Sequence, residues 1–332
     1  MKVTILGSGS WGTGIAQVLS DNGHEVRIWG ISEEQINDIN LHHKNTLFFK
    51  DVVLNKKIKA TTDLSCVENC DVVVLSVPTI AIESVCKQIL PYLHKKTIVI
   101  NTSKGFHPET NERMSQVIRE TIPTHKLSSV VSLIGPSHAE EVVRRLLTTV
   151  VAVSQSQKDA VYVQEHFSNS YFRVYTGDDE VGSELGVAIK NAIAVASGVL
   201  SGLGYGDNTR AALITRGLAE MIRFGIASGG KQETFMGLTG IGDLIVTCTS
   251  IHSRNFQAGY EIGKANTSTI FWDTNKKTVE GVRTSKVIHE IAREMKIEMP
   301  IINEIYMVMY EGKEPRQSAL DLMLRDLKPE LE

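Results

Sequence analysis

Residues Gly7–Gly12 read GSGSWG, a G-x-G-x-x-G pattern. It follows the apolar run Lys2–Leu6 (KVTIL) and opens a helix-like stretch, Thr13–Asn22, with Gly23 as its stop signal. A strand that turns through such glycines into a helix constrains this fold more than any other feature of the chain. Gly7 permits the tight turn, Gly9 lets the backbone approach a pyrophosphate, and Gly12 lets helix and strand pack closely. The helix N-terminus adds free N–H donors and positive dipole for the phosphates. Trp11 is too bulky to serve flexibility. It is expected to wall the dinucleotide with its backbone N–H towards the phosphates, the alternative being packing against the neighbouring domain.

The first half continues in the same alternation. Strands are expected at Glu25–Trp29, Asp71–Val77, Thr97–Asn101, Val130–Ile134, Thr148–Val153 and Tyr171–Tyr175, with helical segments between them. The run DVVVLSV is β-branched without alternation, as in a strand buried on both faces. Strands alternating with helices imply a parallel, doubly wound sheet. The polar turn Thr176–Glu180 ends this character. Beyond it, Val181–Leu200, Thr209–Ala227, Val282–Met295, Ile301–Tyr310 and Arg316–Leu327 carry apolar residues at helical spacing. The expected architecture is therefore an α/β Rossmann-like doubly wound domain over 1–180 and an all-α domain over 181–332. The glycine-rich stretches Gly202–Asn208 and Gly237–Asp243 interrupt the helices and are candidate site loops.

Composition narrows the classes. A length of 332 residues suits two domains better than one core. A net charge of −3 gives no basic excess for nucleic acid. No apolar run approaches the roughly 18 residues of a membrane span, so no membrane insertion is expected. The strand-like N-terminus argues against a signal peptide. Cys66, Cys70, Cys86 and Cys248 match no zinc spacing and no disulfide framework. A reduced, cytoplasmic protein without a metal is expected, and the pair His42-His43 reads as a solvated loop.

Cofactor type turns on the tip of the second strand, Ile28-Trp29-Gly30-Ile31-Ser32. An NAD-selective fold places a carboxylate there for the ribose 2′-hydroxyl. Here Glu33 and Glu34 come slightly later, so nothing obvious repels a 2′-phosphate. Arg27 offers a partner for one, unless strand alternation points it away. NADP is favoured over NAD on this ground, and both remain open.

The stretch Val181–Leu200 is apolar nearly all round, the mark of a buried helix. Lys190 and Asn191 sit in its middle. A buried lysine needs a partner, and desolvation would lower its pKa towards values useful in acid–base work. Asp243 follows glycines that a simple capping aspartate does not need. Ser253 reads as a helix cap, and Arg254 and Asn255 then form an anion site at that helix start. Lys104, in NTSKGF, and Ser137, in IGPSHAEE, follow strand ends, where open α/β sheets bind ligands.

Together these motifs resemble the NAD(P)-dependent glycerol-3-phosphate dehydrogenases of the bacterial biosynthetic type. The match is carried by GSGSWGTG, SKGF, GPSHAEE, ELGVAIKN, NTRAALITRGLAEM, FMGLTGIGDLIVTC, SRN, VEGVR and MPIINEIY, over almost the whole chain. The resemblance implies reversible reduction of dihydroxyacetone phosphate to sn-glycerol 3-phosphate, feeding glycerophospholipid synthesis. It implies Lys190 as the catalytic lysine, Asp243 as its orienting partner and Thr247 as a neighbouring hydrogen-bonder. It implies Lys104 as a second cation, and Gly135, Ser137, Ser253, Arg254 and Asn255 as the substrate cradle. Ser10, Trp11, Lys104, Ala139, Arg254 and Glu280 resemble the family's cofactor contacts, beside Gly7, Gly9 and Gly12.

Two departures stand out. Ile31 occupies the place of a basic or His residue, and Arg144-Arg145-Leu146-Leu147 replace a usual Gly and Pro. The rival readings are another two-domain NAD(P)-dependent hydroxyacid or sugar dehydrogenase, and an inactive nucleotide sensor. A homodimer is the commonest assembly for such a chain.

Overall fold

Eight strands form one sheet: β1 (Lys2–Leu6), β2 (Glu25–Trp29), β3 (Lys59–Thr61), β4 (Val72–Leu75), β5 (Thr97–Asn101), β6 (Leu127–Ile134), β7 (Thr148–Val153) and β8 (Phe172–Gly177). Their spatial order is β3-β2-β1-β4-β5-β6-β7-β8. The structure, a computed structural model, describes residues 1–275 and 279–330. It divides into two compact units, Met1–Glu184 and Leu185–Glu332. That division falls four residues beyond the expected 180/181 boundary.

Helices of unit 1 are α1 (Ser10–Asp21), α2 (Glu33–Asn37), α3 (Thr79–Ile89), α4 (Met114–Thr121), α5 (Ala139–Val142) and α6 (Gln157–Phe167). Each strand face has its own apolar layer. Val3, Ile5, Val72 and Val74 pack with Ile15, Val18 and Leu19 of α1. Leu6, Val73 and Leu75 pack with Ile82, Val85 and Ile89 of α3. Burial on both sides is why these strands lack apolar–polar alternation.

The sheet corrects the sequence reading in three places. β7 runs antiparallel to β6, whereas all other neighbours are parallel. A parallel return needs a long crossover, usually a full helix, and the connection from Ile134 to Thr148 holds only the four-residue α5. β3 was not expected, because three residues with one apolar side chain give no periodic signal. α1 begins at Ser10 rather than Thr13, since Gly9 takes the N-cap position and its carbonyl accepts from the Thr13 N–H and hydroxyl.

Unit 2 is built from the long α7 (Glu180–Gly202), which begins in unit 1, then α8 (Asp207–Ala227), α9 (Gln232–Phe235), α10 (Asp243–Thr249), α11 (Arg254–Ala265), α12 (Thr269–Thr274), α13 (Glu280–Met295), α14 (Pro300–Tyr310) and α15 (Pro315–Met323). The stretch read as irregular around Gly240 is a π-helical turn, Leu238–Gly242, leading into α10. α15 stops four residues short of the expected Leu327. Leu327 is 99% exposed, so a longer helix would bury no apolar face there.

α7 also corrects the expectation about apolar length. It is long and apolar enough to cross a membrane, but 72% of its most apolar window is buried within the protein. Its surroundings are those of a core helix. Small residues let a second helix lie directly on it. A Cβ on Gly198 would stand 2.1 Å from the Phe256 carbonyl oxygen, and one on Gly259 would stand 2.0 Å from that of Val195. Gly202 and Gly263 repeat this one turn further on. α7 and α11 thus touch backbone to backbone.

Glu220 of α8 is buried and accepts from the N–H groups of Ile301 (2.7 Å) and Ile302 (3.2 Å) at the start of α14. Burial pushes its carboxyl from 4.5 up to about 7, against the pull of those two bonds and of Arg223 and Arg325. A raised carboxyl favours the fold below its unfolded value, and that contribution is lost as pH rises through about 7. Glu220→Gln is expected to flatten this part of the stability–pH curve, by on the order of 3 kcal/mol between about pH 4.5 and 8. Urea melts of both proteins across that window check it; parallel curves would show that burying Glu220 carries no such cost.

Candidate active site

The glycine loop of unit 1 lies where the sheet order reverses, beside the carboxyl ends of β1 and β4. Gly7 has φ +125°, and a Cβ there would stand 2.4 Å from the Ser76 carbonyl oxygen. A Cβ on Gly12 would stand 2.1 Å from the Gly7 carbonyl oxygen, whereas one on Gly9 would meet nothing within 4 Å. Tight contact under the first and third glycines and open space over the second is the shape a pyrophosphate needs. Ser10, Trp11 and Gly12 form the first turn of α1. Trp11 is partly exposed and packs one side on the unit 1 core.

The loop is braced from below by residues the sequence did not single out. Buried Asn45 donates to the Ser8 carbonyl and the Thr13 hydroxyl, both at 2.9 Å. Gln35 accepts from the Ser8 hydroxyl at 3.1 Å and donates to Asn45 at 3.1 Å. Neither lies in the glycine motif, so no local pattern could have marked them.

These distances separate two alanine variants. Gly12→Ala drives its methyl into backbone and is expected to cost a few kcal/mol of stability as well as dinucleotide binding. Gly9 has φ −70° and open space, so Gly9→Ala is expected to keep the wild-type melting temperature. Its methyl obstructs the phosphates, and NADPH binding is expected to weaken by about tenfold or more. Thermal melts with a fluorescence titration of NADPH distinguish the two. Unchanged NADPH affinity in Gly9→Ala would remove the pyrophosphate from this position.

Three other expected residues of unit 1 converge on one carbonyl. The Gly135 oxygen accepts from Lys104 Nζ and from the Ser137 hydroxyl, each at 3.0 Å. Ala139 begins α5 and its carbonyl oxygen faces Gly14 of α1. Asn101, at the end of β5, carries a buried side-chain N–H₂ with no acceptor among the described residues. At the tip of β2, Ile31 is 87% exposed. Arg27 pairs with Glu25 at 3.0 Å and shares a groove with Lys2 and Lys59, so it is engaged elsewhere.

Unit 2 assembles around Lys190, which is 3% exposed. Its Nζ donates to Asp243 Oδ1 at 2.7 Å and to the Thr247 hydroxyl at 2.6 Å. Asp243 and Thr247 are one turn apart on α10 and are 1% and 4% exposed. The Thr247 hydroxyl itself donates to the Asp243 carbonyl oxygen at 2.6 Å. Asp243 is the first residue of α10 and Gly242 holds the N-cap position, so the carboxylate serves the lysine rather than the helix. Ser197 ties α7 to α10 through the Cys248 carbonyl oxygen at 2.8 Å.

Asn191, next to the lysine, gathers two more helix starts. Its Oδ1 accepts from Asn255 Nδ2 at 3.0 Å, and Asn255 Oδ1 accepts from the Gly281 N–H at 2.9 Å. Ser253 caps α11 by accepting from the Phe256 N–H at 3.2 Å. Arg254 is the first residue of α11, exposed and without an ion pair among the described residues. Glu280 is the first residue of α13. The starts of α11 and α13 therefore meet at Asn191 of α7, and their dipoles favour an anion there. The glycine pairs Gly198/Gly202 and Gly259/Gly263 make this approach feasible. That spacing is the signal in the sequence that could have predicted the contact.

Glu184, one turn and a half before Lys190, was not assigned a role. It is buried in unit 1 and accepts from Arg113 (2.9 Å), Ser115 (2.8 Å) and Ser132 (2.8 Å). Burial raises its carboxyl, with neighbouring Glu180 adding to the effect. The four cysteines are free and buried, and burial pushes the Cys66 thiol up to about 11 and those of Cys70, Cys86 and Cys248 to about 12. None is a thiolate nucleophile near neutral pH.

Comparison with known proteins finds relatives along the length of the chain. Residues 2–160 match the model of the NAD-dependent glycerol-3-phosphate dehydrogenase N-terminus, and residues 179–319 match that of its C-terminus. The glycerol-3-phosphate dehydrogenase [NAD(P)+] of Enterococcus faecalis is 49% identical over 332 residues, covering 100% of this chain and 98% of the relative. That of Listeria innocua is 48% identical over the same shares. The crystal structure of the Coxiella burnetii glycerol-3-phosphate dehydrogenase, 32% identical, superimposes with a TM-score of 0.90 over 98% of this chain and 99% of that one. With a glycine cradle in one unit and a buried lysine–aspartate pair in the other, the chain belongs to the NAD-dependent glycerol-3-phosphate dehydrogenase family.

Proposed function

We propose that the chain interconverts dihydroxyacetone phosphate and sn-glycerol 3-phosphate, with Lys190 as the proton donor in the reductive direction. The observation that carries this reading is the buried Lys190 Nζ held by Asp243 and Thr247 beside helix starts suited to a phosphate. Gly7, Gly9 and Gly12 with Ser10, Trp11, Lys104, Ala139, Arg254 and Glu280 would hold NAD(P)H, which would supply the hydride. Arg254 and the N–H groups at the start of α11 hold the substrate phosphate, assisted by Ser253 and Asn255. Gly135, Ser137 and Lys104 complete the cradle around the carbonyl end.

Negative charge grows on the ketone oxygen as the hydride reaches its carbon. The Lys190 ammonium stabilises that charge and passes its proton to the oxygen. Asp243 and Thr247 hold Nζ in place and keep it charged until transfer. In the oxidative direction, neutral Lys190 takes the hydroxyl proton. Binding energy from the phosphate handle is spent at the reacting carbonyl.

NADP is favoured because no carboxylate stands at the tip of β2, although Arg27 no longer supports that preference. The expected assembly is a homodimer in the cytoplasm, a compartment that suits four free thiols, and the product would feed glycerophospholipid synthesis. A substrate panel tests the reading. NADPH and dihydroxyacetone phosphate are expected to give loss of nicotinamide absorbance. Oxidation of a non-phosphorylated 3-hydroxy acid, with none of glycerol 3-phosphate, would sink it in favour of another dehydrogenase of this architecture.

A further inference from the structure

Unit 2 holds a cavity of about 390 Å³ that none of the residues discussed as the active site lines. It opens among α8, the start of α14, α15 and the segment after α15. Its volume is in the range of small-molecule sites, which are mostly apolar with a few placed polar groups. Leu200, Leu213, Ile301, Ala319 and Leu322 line it, and the same five line an adjoining apolar cavity of about 40 Å³. An alkyl chain entering the larger cavity therefore meets a continuous apolar surface against α7.

The rim is charged and out of balance. Arg216, Arg223, Arg325 and Lys328 face two carboxylates, Glu220 and Glu298. Glu298 is paired with Arg325 and, at 3.3 Å, with Lys328. Arg216 and Arg223 bond only to backbone carbonyls among the described residues, those of Glu330 (3.0 Å) and Glu298. Four cations against two carboxylates leave a surplus of two. Their hydrogen bonds go to carbonyl oxygens rather than carboxylates, although Arg223 also lowers the carboxyls of Glu220 and Glu298 by its charge, and guanidinium groups so placed are suited to bidentate recognition of an oxyanion.

We propose that this cavity binds an amphipathic anion, an alkyl chain of medium length carrying a phosphate head. The phosphate lies at Arg216 and Arg223, where its near-dianionic charge matches the surplus. The chain lies along Leu213, Ile301 and Ala319. The site is separate from the one that binds the small phosphorylated substrate.

Calorimetric titration of the full chain with decyl phosphate, below its micellar range, tests this. Saturable binding of one ligand per chain is expected, about tenfold or more tighter than inorganic phosphate or 1-decanol. Decanoate, with one charge, is expected to fall between. Ala319→Phe fills the cavity, and Arg216→Gln with Arg223→Gln removes the head site. Each is expected to weaken decyl phosphate by about tenfold or more, while Arg254→Ala binds it as the wild type does. Should Ala319→Phe fail to fold, the double glutamine variant carries the test. Equal binding of decyl phosphate and 1-decanol, wild-type affinity in the folded cavity variants, or loss of binding in Arg254→Ala would each overturn the proposal.

Discussion

Lys190→Ala is expected to lower kcat by about four orders of magnitude while NADPH binds nearly as tightly as to the wild type. Removing a positioned general acid costs about 10²–10⁴-fold. Removing the charge that meets the developing alkoxide adds to that loss. The substitution also strands Asp243, which is 1% exposed, without its cation. Breaking a buried pair from one side costs about 3–5 kcal/mol, so the melting temperature falls too. A partner variant separates the two effects. Lys190→Met combined with Asp243→Asn removes both charges and is expected to recover much of the stability and none of the activity. Lost NADPH binding in a folded Lys190→Ala protein would mean that Lys190 belongs to the cofactor site instead. Recovery of turnover in the double variant would mean that Lys190 is structural.

Arg254→Ala is expected to raise KM for dihydroxyacetone phosphate by about 10- to 100-fold, the range of a lost hydrogen bond to a charged group. Arg254 is exposed and has no ion pair among the described residues, so stability should stay within about 0.5 kcal/mol. The control is dihydroxyacetone, which lacks the phosphate. With NADPH saturating, its feeble turnover should be the same in wild type and variant. An unchanged KM for the phosphorylated substrate would take Arg254 out of the phosphate site. An equal penalty on both substrates would leave Arg254 with its cofactor contact and take it out of the phosphate site.

Much of unit 1 was legible because burial and local geometry write themselves into short runs. The bounds of β1, β2, β5 and β7 are those expected, since each is an apolar run closed by a turn. The glycine loop was legible for the same reason, as the three glycines that shape it lie within six residues. What failed needed partners distant in sequence. β3 exists only as an edge on β2, and the direction of β7 depends on how little helix precedes it. In unit 2, the sequence marked Lys190 as a charge in an apolar helix. It could not supply the 2.7 Å bond to a carboxylate 53 residues away. Asn255 illustrates the limit best. Expected at a phosphate, it is found bridging Asn191 and the Gly281 N–H, a role set by two helix crossings. Asn45 and Gln35 were invisible because they brace a backbone carbonyl rather than carry a motif.

The most direct measurement is the initial rate of NADPH oxidation with dihydroxyacetone phosphate set against that with dihydroxyacetone. A lysine acid working beside a phosphate site should give a kcat/KM at least about a hundredfold higher for the phosphorylated ketone, since handle binding energy is used at the carbonyl. Equal kcat/KM for the two ketones, or no turnover of dihydroxyacetone phosphate by the folded protein with either NADPH or NADH, would contradict it.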